Sequence, residues 1–288
     1  MRVGFVGQRG NHRAVSLVGD IADRLQAEGV EVAVDETTRE AFERGVWTGS
    51  NEPARGLPEA TAVDALADCG LAVSVGGDGT FLYTARGAGP TPIMGVNLGE
   101  VGFLNAVRPD DAVGTVLEEV EHIRETGEAR TRRMPRLQAE TDAWTLPPAL
   151  NEVVVQGPQR GRGRGVDVDV RIDGSPYTSG HADGVLVATT TGSTAYNLSE
   201  GGPLVHPDVA GFLVTEMCGE DGMPSLVVGT DAGVTVRVDG PDRAIAVGDG
   251  RVRREVTPPA EIRLGKADNP VNIAGPPLDF FAALGKLN

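Results

Sequence analysis

Lysine is scarce in this chain: of 26 basic residues only Lys266 and Lys286 are lysines, and the rest are arginines. Aromatic residues make up just 4%. The two cysteines, Cys69 and Cys218, lie far apart with no C-x-x-C pair, which excludes a disulfide framework and a cysteine zinc site. His12 and His122 have no partners at metal-ligand spacing. No run approaches the ~20 apolar residues that span a bilayer. The opening segment Met1 to Gly7 is too short in its apolar part for a secretory signal and reads as a first strand. The expectation is a cytoplasmic protein with no membrane partner. A phosphate loop of the Walker A type is missing, and Gly4-x-x-Gly7-x-x-Gly10 does not have the dinucleotide spacing G-x-G-x-x-G.

Acid is abundant. The formal net charge is −15 and the isoelectric point about 4.7, which disfavours nucleic acid as a partner. A carboxylate-rich, lysine-poor surface over a core light in aromatics is the pattern of a halophilic protein. High salt screens the self-repulsion and the carboxylates hold water. An acidic protein from a GC-rich genome is the plainer alternative. With 288 residues and 40% hydrophobic content, the chain can bury two substantial cores.

The first ~125 residues alternate in character. Arg2–Val6, Val30–Val34, Leu71–Val75 and Ile93–Asn97 read as strands. Val15–Ala27, Thr80–Ala88 and Asp110–Glu125 read as helices. Such alternation predicts a parallel sheet flanked by helices. Thr37 to Ala60 is polar, bears Gly and Pro, and reads as a mobile loop. From about Arg132 short β-type runs take over: Arg136–Thr141, Val153–Gln156, Val166–Ile172, Val185–Ala188, Leu226–Val228, Val234–Val238, Ala244–Val247, Val252–Val256 and Ile262–Leu264. The turn dipeptides Asp173-Gly174, Asp239-Gly240 and Asp249-Gly250 punctuate them. The expected architecture is an α/β domain over 1–125, joined by a closing helix within 276–288, and a mostly antiparallel β-rich domain over 126–275.

Two constellations carry chemistry. Gly76-Gly77-Asp78-Gly79-Thr80 sits between a buried strand and a helix, so bare glycine backbone and a helix N-terminus converge on one spot. Phosphate suits that spot, and Asp78 beside it suits phosphoryl transfer to an alcohol. A tight turn with a capping Asp is the simpler alternative. The second is Asp183 to Pro203, DGVLVATTTGSTAYNLSEGGP, where a β run ends in hydroxyl residues. Ser193 or Thr194 is expected to cap a short helix there.

With these boxes in view, the chain resembles the ATP-NAD kinases, which phosphorylate the 2′-hydroxyl of the adenosine ribose of NAD to give NADP. The resemblance rests on four boxes in order: GGDGT at Gly76, GVNLG followed by GFL over Gly95 to Leu104, Asn151-Glu152, and the run from Asp183. The terminal Phe280 to Leu287 is similar to that family's closing helix, which returns to the first domain. The resemblance implies that Asp78 is the catalytic carboxylate and that Gly77, Gly79 and Thr80 lie against the nucleotide. It further implies that Asn151 and Glu152 hold adenosine and ribose groups, that Thr194, Ala195, Tyr196, Asn197, Leu198 and Ser199 line the site, and that His181 and Asp183 touch the nucleotide. It implies Mg²⁺ as cofactor, ATP or polyphosphate as donor, and a homo-oligomer. Two departures stand out. Members often carry Pro-His-Ser-Leu, then Arg-Pro, where this chain has Glu216 to Ser225 without His or Arg, and Thr190 replaces a usual Pro. A catalytically weak NAD-binding regulator is therefore an alternative. A lipid kinase of the diacylglycerol type is another, although its Gly-Thr-x-Asn-Asp stretch is missing. Arg160, Arg162 and Arg164 form a basic island that could grip phosphate or simply tip a hairpin.

Overall fold

A computed structural model describes residues 1–45, 56–98, 103–159, 161, 165–219, 222–240 and 242–285. Its contacts divide the chain into two compact units, Met1–Arg133 with Val271–Asn288, and Met134–Pro270.

The first unit begins β1 (Arg2–Gly7), α1 (His12–Ala27), β2 (Glu31–Asp35), α2 (Glu36–Glu43), β3 (Glu59–Thr61), β4 (Leu71–Gly76), α3 (Asp78–Gly87), β5 (Ile93–Asn97) and α4 (Ala112–Thr126). Strand order is β3-β2-β1-β4-β5, and each of these neighbours pairs in parallel. β4 is buried along its whole length, as a central strand covered on both faces must be. The apolar stripe of α1 (Ala14, Val18, Ile21, Leu25) packs with Val116 and Val120 of α4 over Val3, Phe5 and Val73. Asn11 caps α1 by accepting from the N–H groups of Arg13 and Ala14.

The second unit follows β6 (Thr131–Met134). It contains β7 (Leu137–Glu140), β8 (Glu152–Gln156), β9 (Val166–Ile172), β10 (Ser175–Ala182), β11 (Gly184–Thr189), α5 (Tyr196–Ser199), β12 (Gly211–Met217), β13 (Leu226–Gly229), β14 (Val234–Asp239), β15 (Ala244–Gly248), β16 (Val252–Val256) and β17 (Ala260–Lys266). Two antiparallel sheets, β10-β9-β14-β17-β7 and β13-β12-β11-β8-β15-β16, enclose one core. Alternation explains it: Val166, Val168 and Val170 meet Val153, Val155, Val185 and Val187 inside. The residues between them on β8 and β11, Val154, Leu186 and Ala188, form a separate patch on the other face of their sheet. Asp173-Gly174 closes a two-residue hairpin with positive φ at both residues, as a turn of primed type needs, and Asp249-Gly250, also at positive φ, open the three-residue loop between β15 and β16. The chain then returns through β18 (Val271–Ala274), which pairs in parallel with β5 and carries β6 at the sheet edge, and ends its described part with α6 (Phe280–Leu284). No described helix is long and apolar enough to cross a membrane.

The sequence reading needs correction in several places. Part of the expected Thr37–Ala60 loop is α2, which Asp35 caps and which buries only Thr38 and Phe42. Its other support is polar, from Arg39–Glu43 and Glu40–Arg44 pairs, from Gly7 N–H donating to Thr38, and from Arg39 donating to the Leu57 and Pro58 carbonyls, so it shows little apolar periodicity. Residues 46–55 of that stretch lie outside the described residues. β10 was not expected because it is polar and contains Pro176. It runs at a sheet edge, where a missing ladder donor is tolerated. β12 was not expected either: its apolar run ends in Thr215-Glu216-Met217, which reads equally as helix.

Candidate active site

Each unit presents a corner built around a carboxyl group. In the first, β4 ends at Gly76, Gly77 occupies the N-cap position and Asp78 opens α3. A Cβ on Gly76 would lie 2.6 Å from Thr80 Oγ1 and 2.8 Å from Gln8 Cβ, so the turn closes only over bare backbone. Asp78 suits the positive end of the helix dipole, yet its carboxylate turns toward the segment after β5. Oδ2 accepts from the Phe103 N–H at 3.0 Å. Oδ1 accepts from the Leu104 N–H at 3.2 Å and from Asn105 Nδ2 at 3.3 Å. Burial raises the proton affinity of Asp78, and the three donors offset only part of that rise. Gly79 is exposed, and Gly77 and Thr80 are half-buried.

The second corner lies where β8 begins. The Asp249 carboxylate accepts from three successive amides: Leu150 at 3.0 Å, Asn151 at 2.8 Å and Glu152 at 3.3 Å. Thr189 secures the same bend, its hydroxyl donating to the Leu150 carbonyl at 2.6 Å and its N–H to that of Asn151 at 2.8 Å. Gly192 lies directly on this backbone, for a Cβ there would sit 2.1 Å from the Asn151 carbonyl oxygen. Glu152 is 5% exposed. Its pKa is raised to about 7, first by burial and then by the charge of Asp249, while a hydrogen bond from the Tyr196 N–H pulls the other way. Its Oε2 is buried without a hydrogen-bond partner among the described residues. A carboxyl with a spare oxygen and a pKa near neutrality is a characteristic of polar ligand sites.

The Thr194–Ser199 segment folds beside this corner. A 3-10 turn spans Thr191–Thr194 and leads into α5. The expected Ser or Thr cap is not formed, since Ala195 takes that position. The Ser193 hydroxyl donates inward to the Val205 carbonyl, and Thr194 to that of Thr191. Asn197 is fully buried. It accepts from the Thr215 hydroxyl at 2.9 Å and donates to the Ser193 and Pro203 carbonyls, so it fastens the segment to β12. Tyr196 packs with the patch of Val154 and Leu186. Leu198 is half-buried and Ser199 exposed.

His181 and Asp183 stand elsewhere in the same unit. Ala188 on β11 faces Glu152, so Asp183 lies five strand residues away, roughly 16 Å along the sheet. His181 Nδ1 is 2.8 Å from Asp167 Oδ1, and Asp183 accepts from the Gly161 N–H at 2.9 Å. Within one chain these two residues do not join the Asn151–Glu152 corner. Gly99 to Gly102 of the second box, Arg160, Arg162 and Arg164, Glu220 and Asp221, and Lys286 and Leu287 lie outside the described residues. Among the described residues no three His, Cys, Asp or Glu side chains stand close enough to hold a metal.

Sequence reasoning missed Asn105 and Asp249. The first follows the GFL triplet directly; the second was taken only as a hairpin residue.

Comparison with known proteins bears on these corners. The ATP-NAD kinase N-terminal domain model matches residues 3–125 and the corresponding C-terminal domain model matches 150–275. A curated NAD kinase from Haloarcula marismortui is 59% identical over the full length of both chains. One from Halorubrum lacusprofundi is 54% identical, again over both full lengths. Among solved structures, an NAD kinase from Archaeoglobus fulgidus in complex with ATP superposes with a TM-score of 0.76 at 26% identity, covering all of both chains. A yeast NADH kinase complexed with NADH shares the fold, with a TM-score of 0.84 at 20% identity over all of this chain and 87% of that one. The halophilic composition accords with these haloarchaeal relatives. The chain belongs to the ATP-NAD kinase family.

Proposed function

We propose that this protein transfers the γ-phosphoryl group of ATP to the 2′-hydroxyl of the adenosine ribose of NAD, giving NADP and ADP. The observation that carries the reading is the placement of Asp78. It is a half-buried carboxylate at the first turn of a helix that follows a central parallel strand, in a chain of this family. In α/β sheets that end of the strands is where ligands gather.

In the reaction the ribose oxygen forms a bond to the γ-phosphorus as the bond to the ADP oxygen breaks. A ribose hydroxyl is a weak nucleophile at neutral pH, so Asp78 receives its hydrogen bond and takes or orients the proton. Gly77, Gly79 and Thr80 bring N–H groups and open space to the phosphates. Mg²⁺, bound with ATP, neutralises phosphate charge. Asn151 and Glu152 hold adenosine and ribose groups, and the spare Oε2 of Glu152 suits a hydroxyl. Thr194, Ala195, Tyr196, Leu198 and Ser199 line the dinucleotide, while Asn197 acts by holding that segment in shape. The distance of His181 and Asp183 from Glu152 supports a role at a neighbouring subunit's site, and with it a homo-oligomer. Residues 1–125 with 276–288 then carry the transfer chemistry and 126–275 the dinucleotide, in a cytoplasmic enzyme.

The test is NADP formation from NAD, ATP and Mg²⁺ in molar KCl, followed with an NADP-specific dehydrogenase. NADP should accumulate with ATP. Calorimetric binding of NAD without NADP would point instead to the regulatory relative, and phosphorylation of diacylglycerol to the lipid kinase. Polyphosphate in place of ATP tests the donor.

A further inference from the structure

Asn105 is the third donor to Asp78, and its setting is unusual. It is 3% exposed and lies against Gly95 on β5. A Cβ on Gly95 would come within 2.3 Å of Asn105 Oδ1 and 2.9 Å of its Cα. The segment is fixed there by the backbone. Val107 N–H donates to the Gly95 carbonyl at 3.1 Å, and Asn97 N–H to the Val107 carbonyl at 2.9 Å. Asn105 therefore has little freedom to leave.

The amide is oriented by its partner. An ionised carboxylate only accepts, so Nδ2 must face Asp78. Oδ1 then points away, buried and without a hydrogen-bond partner among the described residues.

Lone pairs show what the arrangement achieves. A carboxylate offers two acceptor sites on each oxygen. Leu104 N–H and Asn105 Nδ2 fill both sites on Oδ1, whereas Phe103 N–H fills one on Oδ2. We propose that Asn105 is a positioning residue that closes Oδ1, leaving the remaining site on Oδ2 as the one that meets the substrate hydroxyl. The inference rests on the reading of Asp78 as the acid that engages the ribose. By favouring the charged form, the Asn105 hydrogen bond also opposes the effect of burial on Asp78. Among the described residues the groups that bear on this carboxylate are its three donors. Tyr83 and Arg86 on the same helix lie five and eight residues further along, beyond the first turn.

The experiment is the pH dependence of kcat at saturating NAD and ATP in molar KCl, with thermal unfolding of each variant. Asn105→Ala is expected to lower kcat at pH 7 roughly tenfold with KM for NAD little changed. Its acid limb should move up by about half to one pH unit, because the charged form has lost a donor. Asn105→Asp, which sets a like charge against Asp78, should move the limb further in the same direction. Gly95→Ala, which displaces Asn105 without altering it, should reproduce the Ala shift. It also keeps the inference testable if Asn105→Ala fails to fold. An acid limb unmoved in the folded variants overturns the positioning role, whatever happens to Tm or to kcat. Asp78→Asn with wild-type kcat would instead remove the underlying reading of Asp78, a result distinct from either.

Discussion

The two carboxyl corners use the same parts in opposite ways. Asp78 is itself the acceptor for three donors, and burial is what raises its proton affinity. Glu152 receives one amide, from Tyr196, and sits beside an acid that has taken three amides for itself. In the second unit the triple donor set fixes Asp249 as the charge, and Glu152 becomes the group that can exchange a proton near neutrality. Burial raises both acids. The supply of donors decides how far.

The glycines differ as well. Gly192 rests on backbone and Gly76 on side chains. The sharpest way to break the second corner is therefore Gly192→Ala, whose new methyl would meet the Asn151 carbonyl 2.1 Å away. The Asn151 backbone is pinned by Asp249 and Thr189, and a loss of about 3 kcal/mol or more is expected in denaturant unfolding. Asp249→Ala should come next. Three buried amides lose their acceptor, for a loss on the order of 3 kcal/mol by the same measurement.

Glu152→Gln should act in the other direction. The folded pKa of about 7 lies above the ordinary 4.5, so the folded state binds the proton more tightly. That stabilisation is fully present below about pH 4.5 and is lost as pH rises through about 7. Glutamine imitates the protonated form, so at pH 8 the variant should be more stable than wild type, by up to about 3 kcal/mol. At pH 4 the two should agree. An equal difference at both values would show that Glu152 does not titrate as described. For Gly76→Ala a loss of about 2 kcal/mol is expected, because the new methyl would meet Gln8 Cβ at 2.8 Å and the residue holds a φ of +158°. Should it match Gly192→Ala, the contrast between a side-chain seat and a backbone seat fails.

Much of this was legible in sequence because it is local. The strand–glycine–helix order around Asp78 and the valine alternation of the second unit follow from neighbours in the chain. So do the hairpins at Asp173-Gly174 and Asp249-Gly250, whereas Asp239-Gly240 joins strands of different sheets. Polar elements were less legible: α2 and β10 offer almost no apolar pattern, and each is held by capping or by its sheet partner. The corners themselves close over distance. Asn105 reaches Asp78 across 27 positions and Asp249 reaches Asn151 across 98. No periodicity encodes such a contact. Ser193 shows a further limit: the right residue for a helix cap spends its hydroxyl on Val205, because the chain folds back over it.

The most direct test is to compare binding and turnover in Asp78→Asn. Calorimetry should find NAD affinity within a few-fold of wild type, while NADP formation in molar KCl falls at least about a hundredfold, the scale of a lost general base. Turnover equal to wild type in a variant that still binds NAD would contradict the account.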